Sequence, residues 1–265
     1  MGVQARRGWR PRKAMLVLVV ALAAGAGIAC SCVLAQSTRK PWRLELFDNF
    51  HRGLSPARWG LYSGPSQGDP GGWFSPSHVA VVHGVLNLAA YKDPRFGGRW
   101  VSGGLSSAPA IRQTYGKYEV RLRVESGYGV GSDALLWPSR GPWPPEVDFA
   151  ENDGVQKART QMHAFVHYGA DNRQVQRMTT GNFTRWHTFG LEWTPGRLVF
   201  TVDGRVWYRV DGAVVPSTPM EMDIQDVAGT CGVAVEPCPN SSTPPRVDLQ
   251  VAWVRIYGYG PGARQ

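Results

Sequence analysis

Residues 134–152 read ALLWPSRGPWPPEVDFAEN and set three acids, Glu146, Asp148 and Glu151, in an otherwise apolar run. Val147 and Phe149 suit a strand, where successive side chains alternate faces, so Glu146 and Asp148 share one face about 6.6 Å apart. Regular alternation sends Glu151 to the other face. One extra residue after Asp148, a β-bulge, returns Glu151 to the face of the other two, and bulges are over-represented beside active sites. The spacing E-x-D-x-x-E therefore predicts three acids converging on one surface.

Glycoside hydrolysis with retention needs such an arrangement: a carboxylate nucleophile and a carboxylic acid about 5–5.5 Å apart, one ionised and one protonated. Five strand steps separate the two Glu backbones by about 16 Å, less with a bulge, so long side chains must lean together over a concave sheet. Asp148 lies between them, placed to hydrogen-bond the nucleophile and keep the charges unequal, because neighbouring like charges push pKa values apart. An acidic strand edge or a calcium cluster is the blander reading, but neither explains the flanking aromatic residues.

The segment 146–151, EVDFAE, resembles the E-[IV]-D-x-x-E signature of glycoside hydrolase family 16 in its bulged, laminarinase-like form. The resemblance runs from about residue 44 to 257 and includes FDNF (47–50), GRWVSGG (98–104), YGKYEV (115–120), VHYG (166–169), WHTFGLEW (186–193) and WVRIY (253–257). It implies Glu146 as nucleophile, Asp148 as its assistant and Glu151 as general acid/base, on an all-β two-sheet jelly-roll sandwich with a concave substrate cleft. By the same resemblance His167 lines the cleft near the acid/base, whereas His187 is structural. One departure is visible: the Trp143-Pro144 step stands two residues closer to the first Glu than the family pattern has it.

Residues 1–35 differ from the rest. Arg6, Arg7, Arg10, Arg12 and Lys13 precede an apolar run over 15–24, and Val33 and Ala35 supply the small residues of a cleavage site, which reads as a secretory signal peptide. A permanent anchor fits less well, because the run is short of a span of about 20 residues. Residues 27–30, Gly-Ile-Ala-Cys, make a poor lipoprotein box, so lipid anchoring at Cys30 is the weaker alternative to a secreted or envelope-associated protein. The chain has a formal net charge of +9, and the leader holds five of the basic residues and no acid, leaving +4 for 36–265. That bias is too mild for a nucleic-acid footprint. With Cys30 and Cys32 in the leader, Cys231 and Cys238 remain as a pair in an exported chain, which favours a local disulfide.

Beyond the leader, residues 44–50 suit a first strand, 79–88 two strands hinged at His83-Gly84, 118–124 a strand alternating apolar and charged without a miss, 198–208 a hairpin about Asp203-Gly204, and 247–257 a closing strand. Residues 64–72 carry the turn formers of a loop. No apolar pattern of helical period exceeds about two turns after Ala35, and no composition shift marks a second domain, so 36–265 reads as a single all-β unit.

Sugar rings present apolar C–H faces, and indoles make natural walls for them with the ring N–H left to bond hydroxyls. Trp137 and Trp143 accompany the acids, and Trp100 lies in a Gly-rich loop; these three and His167 are the candidate substrate-binding residues. His163 and His167 share a strand face, but no third ligand at zinc spacing accompanies them. Many members of the family bind calcium through an Asp just before the last Trp-Val-Arg strand; Ala252 stands there, so neither a metal nor a cofactor is expected. The expectation carried forward is an exported, monomeric, retaining endo-β-glucanase acting on β-1,3-glucan. Mixed-linkage glucan, a galactan or transglycosylation would keep the same mechanism, and a non-catalytic carbohydrate-binding wall protein is the rival of another class.

Overall fold

The computed structural model describes residues 42–66, 70–229, 231 and 237–260; the signal-peptide reading and Cys30 lie outside them. The described chain is all-β, two large sheets packed face to face and a two-stranded ribbon in which Gly64–Pro65, in the stretch expected to be loop, pairs with Trp73–Phe74. One sheet has nine strands, ordered through Arg205–Asp211, Arg197–Val202, His187–Thr194, Gly116–Val124, Arg246–Tyr259, Val85–Asp93 and Val79–Val82, with Trp42–Asp48 and Arg99–Val101 pairing at its side. The other has seven: Arg173–Thr180, Gln161–Tyr168, Glu146–Asn152, Val130–Pro138, Met220–Ala228, Gly104–Ser106 and Gly60–Leu61. Neighbours within both sheets are antiparallel although many are distant in sequence, as a jelly roll requires. The only helical pieces among the described residues are the 3₁₀ turns Pro76–His78 and Pro94–Phe96.

Alternation builds the core. In Gly116–Val124 every second residue is buried, and Tyr118, Val120, Leu122 and Val124 meet Leu249, Val254 and Ile256 from the neighbouring strand inside one large cluster. The opposite sheet answers with Leu136, Val147, Met162, Val166, Met222 and Ile224. Burying a Leu or Val side chain removes it from water at roughly 1.5–3 kcal/mol apiece, so this interdigitation is the main stabiliser of the sandwich.

Turn chemistry follows the residues. His83 and Gly84, with φ of 51° and 75°, close the hairpin between Val79–Val82 and Val85–Asp93, and Asp203 and Gly204, at 50° and 76°, close the one between Arg197–Val202 and Arg205–Asp211. Positive φ at both central positions matches the right-handed strand twist, and Asp-Gly adopts it with little strain. Cys231 and Cys238 are joined as a disulfide. The first strand begins at Trp42, two residues earlier than the sequence pattern suggests, because Trp42 pairs with Tyr259 and packs against its ring at 5.6 Å.

Candidate active site

The three acids lie on Glu146–Asn152, third from one edge of the seven-stranded sheet. Opposite Gln161–Tyr168 the register is Glu146 to His167, Asp148 to Phe165 and Glu151 to His163, with a shift between Asp148 and Glu151. Three residues on the partner strand therefore oppose four on this one, which is a bulge. Phe149 and Ala150 both turn into the core at 0% and 1% exposure, and Glu151 emerges beside the other two acids. The same shift appears on the other side, where Ala134 pairs with Ala150 and Leu135 with Asp148.

Cross-strand pairing orders the cleft face into transverse rows. One runs Gln176, Phe165, Asp148, Leu135, Asp223, Ser106. The next runs Met178, His163, Glu151, Asp133, Gln225, Gly104. A third holds Gln174, His167 and Glu146. The cleft is thus more acidic than the E-x-D-x-x-E reading implies, because Asp133, Asp223 and Glu221 also face it. Sequence reasoning passed over these three, although Glu221, Asp223 and Gln225 alternate cleanly with the buried Met222 and Ile224.

Asp148 is 3% exposed. Burial first, and then the nearby Glu146, Glu151 and Asp133 charges, hold its carboxyl well above the usual carboxylate range, and its hydrogen bond with Glu146 acts in the same direction. This hydrogen bond ties the Asp148 carboxyl to that of Glu146. Trp143 contributes a second hydrogen bond: its indole Nε1–H reaches Glu146 Oε2 at 2.7 Å. That corrects the expectation of an N–H left for sugar hydroxyls. The short Pro-Pro link between Trp143 and Glu146 instead folds the indole back onto the acid three residues later.

Trp143 stacks at 16° on Trp137, with ring centroids 6.2 Å apart, and its centroid lies 5.8 Å from that of His167, so three of the four expected substrate-binding residues gather around Glu146. Behind Trp143 a depression of about 440 Å³ is walled by Pro144, Tyr168, Val214 and Pro216 among others. Trp100, the fourth, is half-buried and packs against a small cluster of Ala90, Val130, Ala228 and Val247. His167 Nδ1–H donates to Asn172 Oδ1 at 2.8 Å, which fixes the tautomer and leaves Nε2 facing Asp148 Oδ2 at 3.6 Å. Asn172 carried no signal in the sequence beyond its place in a turn. His187 bonds Asp203 at 2.7 Å and the Asn182 carbonyl at 3.1 Å, a loop-bracing role as expected.

One set of side chains among the described residues has the spacing of a metal site: Glu146, Asp148 and His167, with ligand atoms within 4.8 Å of one another. His163 is not part of this set; its two carboxylates come from the adjacent strand and only His167 belongs to the His163/His167 pair. Ala252 has no side-chain oxygen to offer a calcium ion.

The sequence model of Glycosyl hydrolases family 16 matches residues 72–254. Xyloglucan endotransglucosylase/hydrolase protein 3 of Arabidopsis thaliana is 32% identical over 154 residues, which make up 56% of this chain and 50% of that protein; the chain thus reaches only half the length of this relative. A β-glucanase of Rhodothermus marinus is 27% identical over 209 residues, 69% of this chain and 71% of the relative. Endo-1,3-1,4-β-glycanase ExsH of Rhizobium meliloti is 28% identical over 189 residues, 65% and 40% of the two chains. Among solved structures, the laminarinase from Rhodothermus marinus superposes with a TM-score of 0.72 at 25% identity, covering 83% of this chain and 98% of that one. The endo-β-1,3-glucanase from Pyrococcus furiosus shares the fold, with a TM-score of 0.73 at 22% identity over 83% and 96%.

Proposed function

The chain belongs to glycosyl hydrolases family 16, and on that premise we propose that it is an exported, retaining endo-β-glucanase that cuts β-1,3-glucan. The observation that carries this reading is the bulge at Phe149-Ala150, which puts Glu146, Asp148 and Glu151 on one face of the sheet. Glu146 attacks the anomeric carbon and Glu151 protonates the departing glycosidic oxygen; Glu151 then takes a proton from water as that water opens the glycosyl-enzyme. Two hydrogen bonds, one shared with Asp148 and one donated by Trp143 Nε1, hold the rotamer of Glu146 and favour its charged form. His167, tied to Asn172, limits where the Asp148 carboxyl can turn. Trp137 and Trp143 offer indole faces to the sugar beside the reacting bond.

A second reading keeps these roles and changes the glucan. It is favoured by the similarity to ExsH, whose name specifies mixed 1,3-1,4 linkages. Sugar release from laminarin, lichenan, agarose and xyloglucan, each with the parent and with Glu146→Gln, separates the readings. Laminarin is expected to be the best substrate, and Glu146→Gln is expected to release none. Cleavage of lichenan alone would move the specificity, and equal sugar release by the variant would remove Glu146 from the mechanism.

A further inference from the structure

The cleft face holds a second hydrogen-bonded group outside the proposed reaction. Gly104 ends the row that contains Glu151, and the ring of Tyr62 fills the space its side chain would take, because a Cβ at that position would collide with the ring. Phe74 meets the same ring edge-on at 5.2 Å. The Tyr62 hydroxyl is hydrogen-bonded to Asp223, which is also bonded to Ser106 on the next strand. Asp223 is only 5% exposed and its Oδ1 has no partner. Burial is the main cause that pushes this carboxyl up to about 7. An acid kept in such a place costs the fold stability. What it secures is the placement of one half-buried tyrosine.

We propose that Tyr62, positioned by Asp223 and by the bare backbone of Gly104, binds an uncharged hexose ring of the substrate at a place remote from the scissile bond, about 14 Å from Glu151. The distance is three strand spacings, through Asp133 and Gln225 to Gly104. Aromatic rings pair with the apolar faces of sugars, and binding so far from the reacting atoms acts only on chains long enough to reach it. The acids on this side of the cleft are Asp133, Asp223 and Glu221, and the one cation shown beside them among the described residues, Arg112, is already paired with Glu221 at 3.1 Å; with no free cation shown there to receive a carboxylate or sulfate, a neutral hexose is the class that fits. Asp223 makes its contribution through Tyr62 and is a positioning residue. The proposal rests on the glucanase reading but can fail separately from it.

The test is the dependence of kinetics on chain length. Tyr62→Ala is expected to raise KM for a long neutral β-glucan about tenfold with kcat changed less than twofold, and to alter neither by more than twofold on a chromogenic disaccharide too short to reach Tyr62. Asp223→Leu should show a smaller rise in KM of the same kind, and the double variant should not exceed Tyr62→Ala. Tyr62→Phe, which keeps the ring, guards against misfolding and should lose no more than threefold. An unchanged KM in Tyr62→Ala, a fall in kcat alone, or equal losses on short and long substrates would overturn the proposal. If the parent releases sugar from no glucan, the glucanase reading fails. Calorimetry with a neutral β-glucan hexaose then decides the Tyr62 site: tenfold weaker binding by Tyr62→Ala supports it, and no binding by the parent or equal binding by both overturns it.

Discussion

Two strands of similar length show how the same period-two rule serves two purposes. Gly116–Val124, in the nine-stranded sheet, keeps strict alternation of buried and half-buried residues from end to end, and its charged positions are paired at the surface, Lys117 with Glu119 at 3.1 Å and Glu192 at 3.3 Å. Glu146–Asn152, in the facing sheet, breaks the alternation at one place and buries a carboxyl among other acids. The first strand sends its apolar residues into the core and keeps its charged ones at the surface. The second gives some stability up, since a buried acid surrounded by like charges is costly, and obtains a cluster of acids on one face. Both sheets contribute to the core, but the acid cluster lies on only one of them, so mutations should separate packing from chemistry.

The largest effect should come from the irregular strand. Glu146→Gln and Glu151→Gln are each expected to lower polysaccharide hydrolysis by about a thousandfold or more while leaving the unfolding midpoint within a degree or two, as initial rates and thermal melts would show. Asp148→Asn should be milder, because an amide can donate a hydrogen bond to Glu146. In the regular strand the pattern should invert: Leu122→Ala, at a position 2% exposed, is expected to cost about 2–5 kcal/mol in urea unfolding with kcat per folded molecule unchanged. If Leu122→Ala instead changed kcat, the separation of packing from chemistry would not hold. Trp143→Phe keeps an aromatic wall and removes one donor to Glu146, so a loss of about tenfold in kcat is expected.

The smallest effect concerns pH. Asp223 holds its proton up to about 7 in the folded chain, whereas the unfolded chain releases it near 3.8. The folded state therefore binds more protons between those values, and stability falls as pH rises through that window, by up to a few kcal/mol for this group. Asp148 and Asp226, both raised chiefly by burial, push the same way. Urea midpoints should be higher at pH 5 than at pH 8, and Asp223→Asn, with no proton to lose, should flatten the difference; an unaltered slope would mean that Asp223 ionises normally.

Much of this was legible in local sequence. The E-x-D-x-x-E spacing predicted the bulge, Asp203-Gly204 its hairpin, and the alternation over 118–124 its one wet face. These features are set by a few consecutive residues. What escaped depends on pairing across long separations. Asp133 and Asp223 join the cleft because Val130–Pro138 pairs with Met220–Ala228, and Tyr62 because it lies over Gly104. The polar alternation of 221–225 was there to read, but not which face the cleft would take. The support of Trp100 is another such case: its half-buried ring rests on Ala90, Val130, Ala228 and Val247, a contact that no local pattern announces.

The claim on which the rest depends is that Glu146 and Glu151 act on one glycosidic bond as nucleophile and proton donor. Trapping with a 2-deoxy-2-fluoro β-glucan oligosaccharide carrying a good leaving group, followed by peptide mass mapping, tests it most directly. The account predicts a single glycosyl adduct on Glu146. An adduct on Glu151, or no adduct together with inversion of the anomeric centre in the first product released, would contradict it.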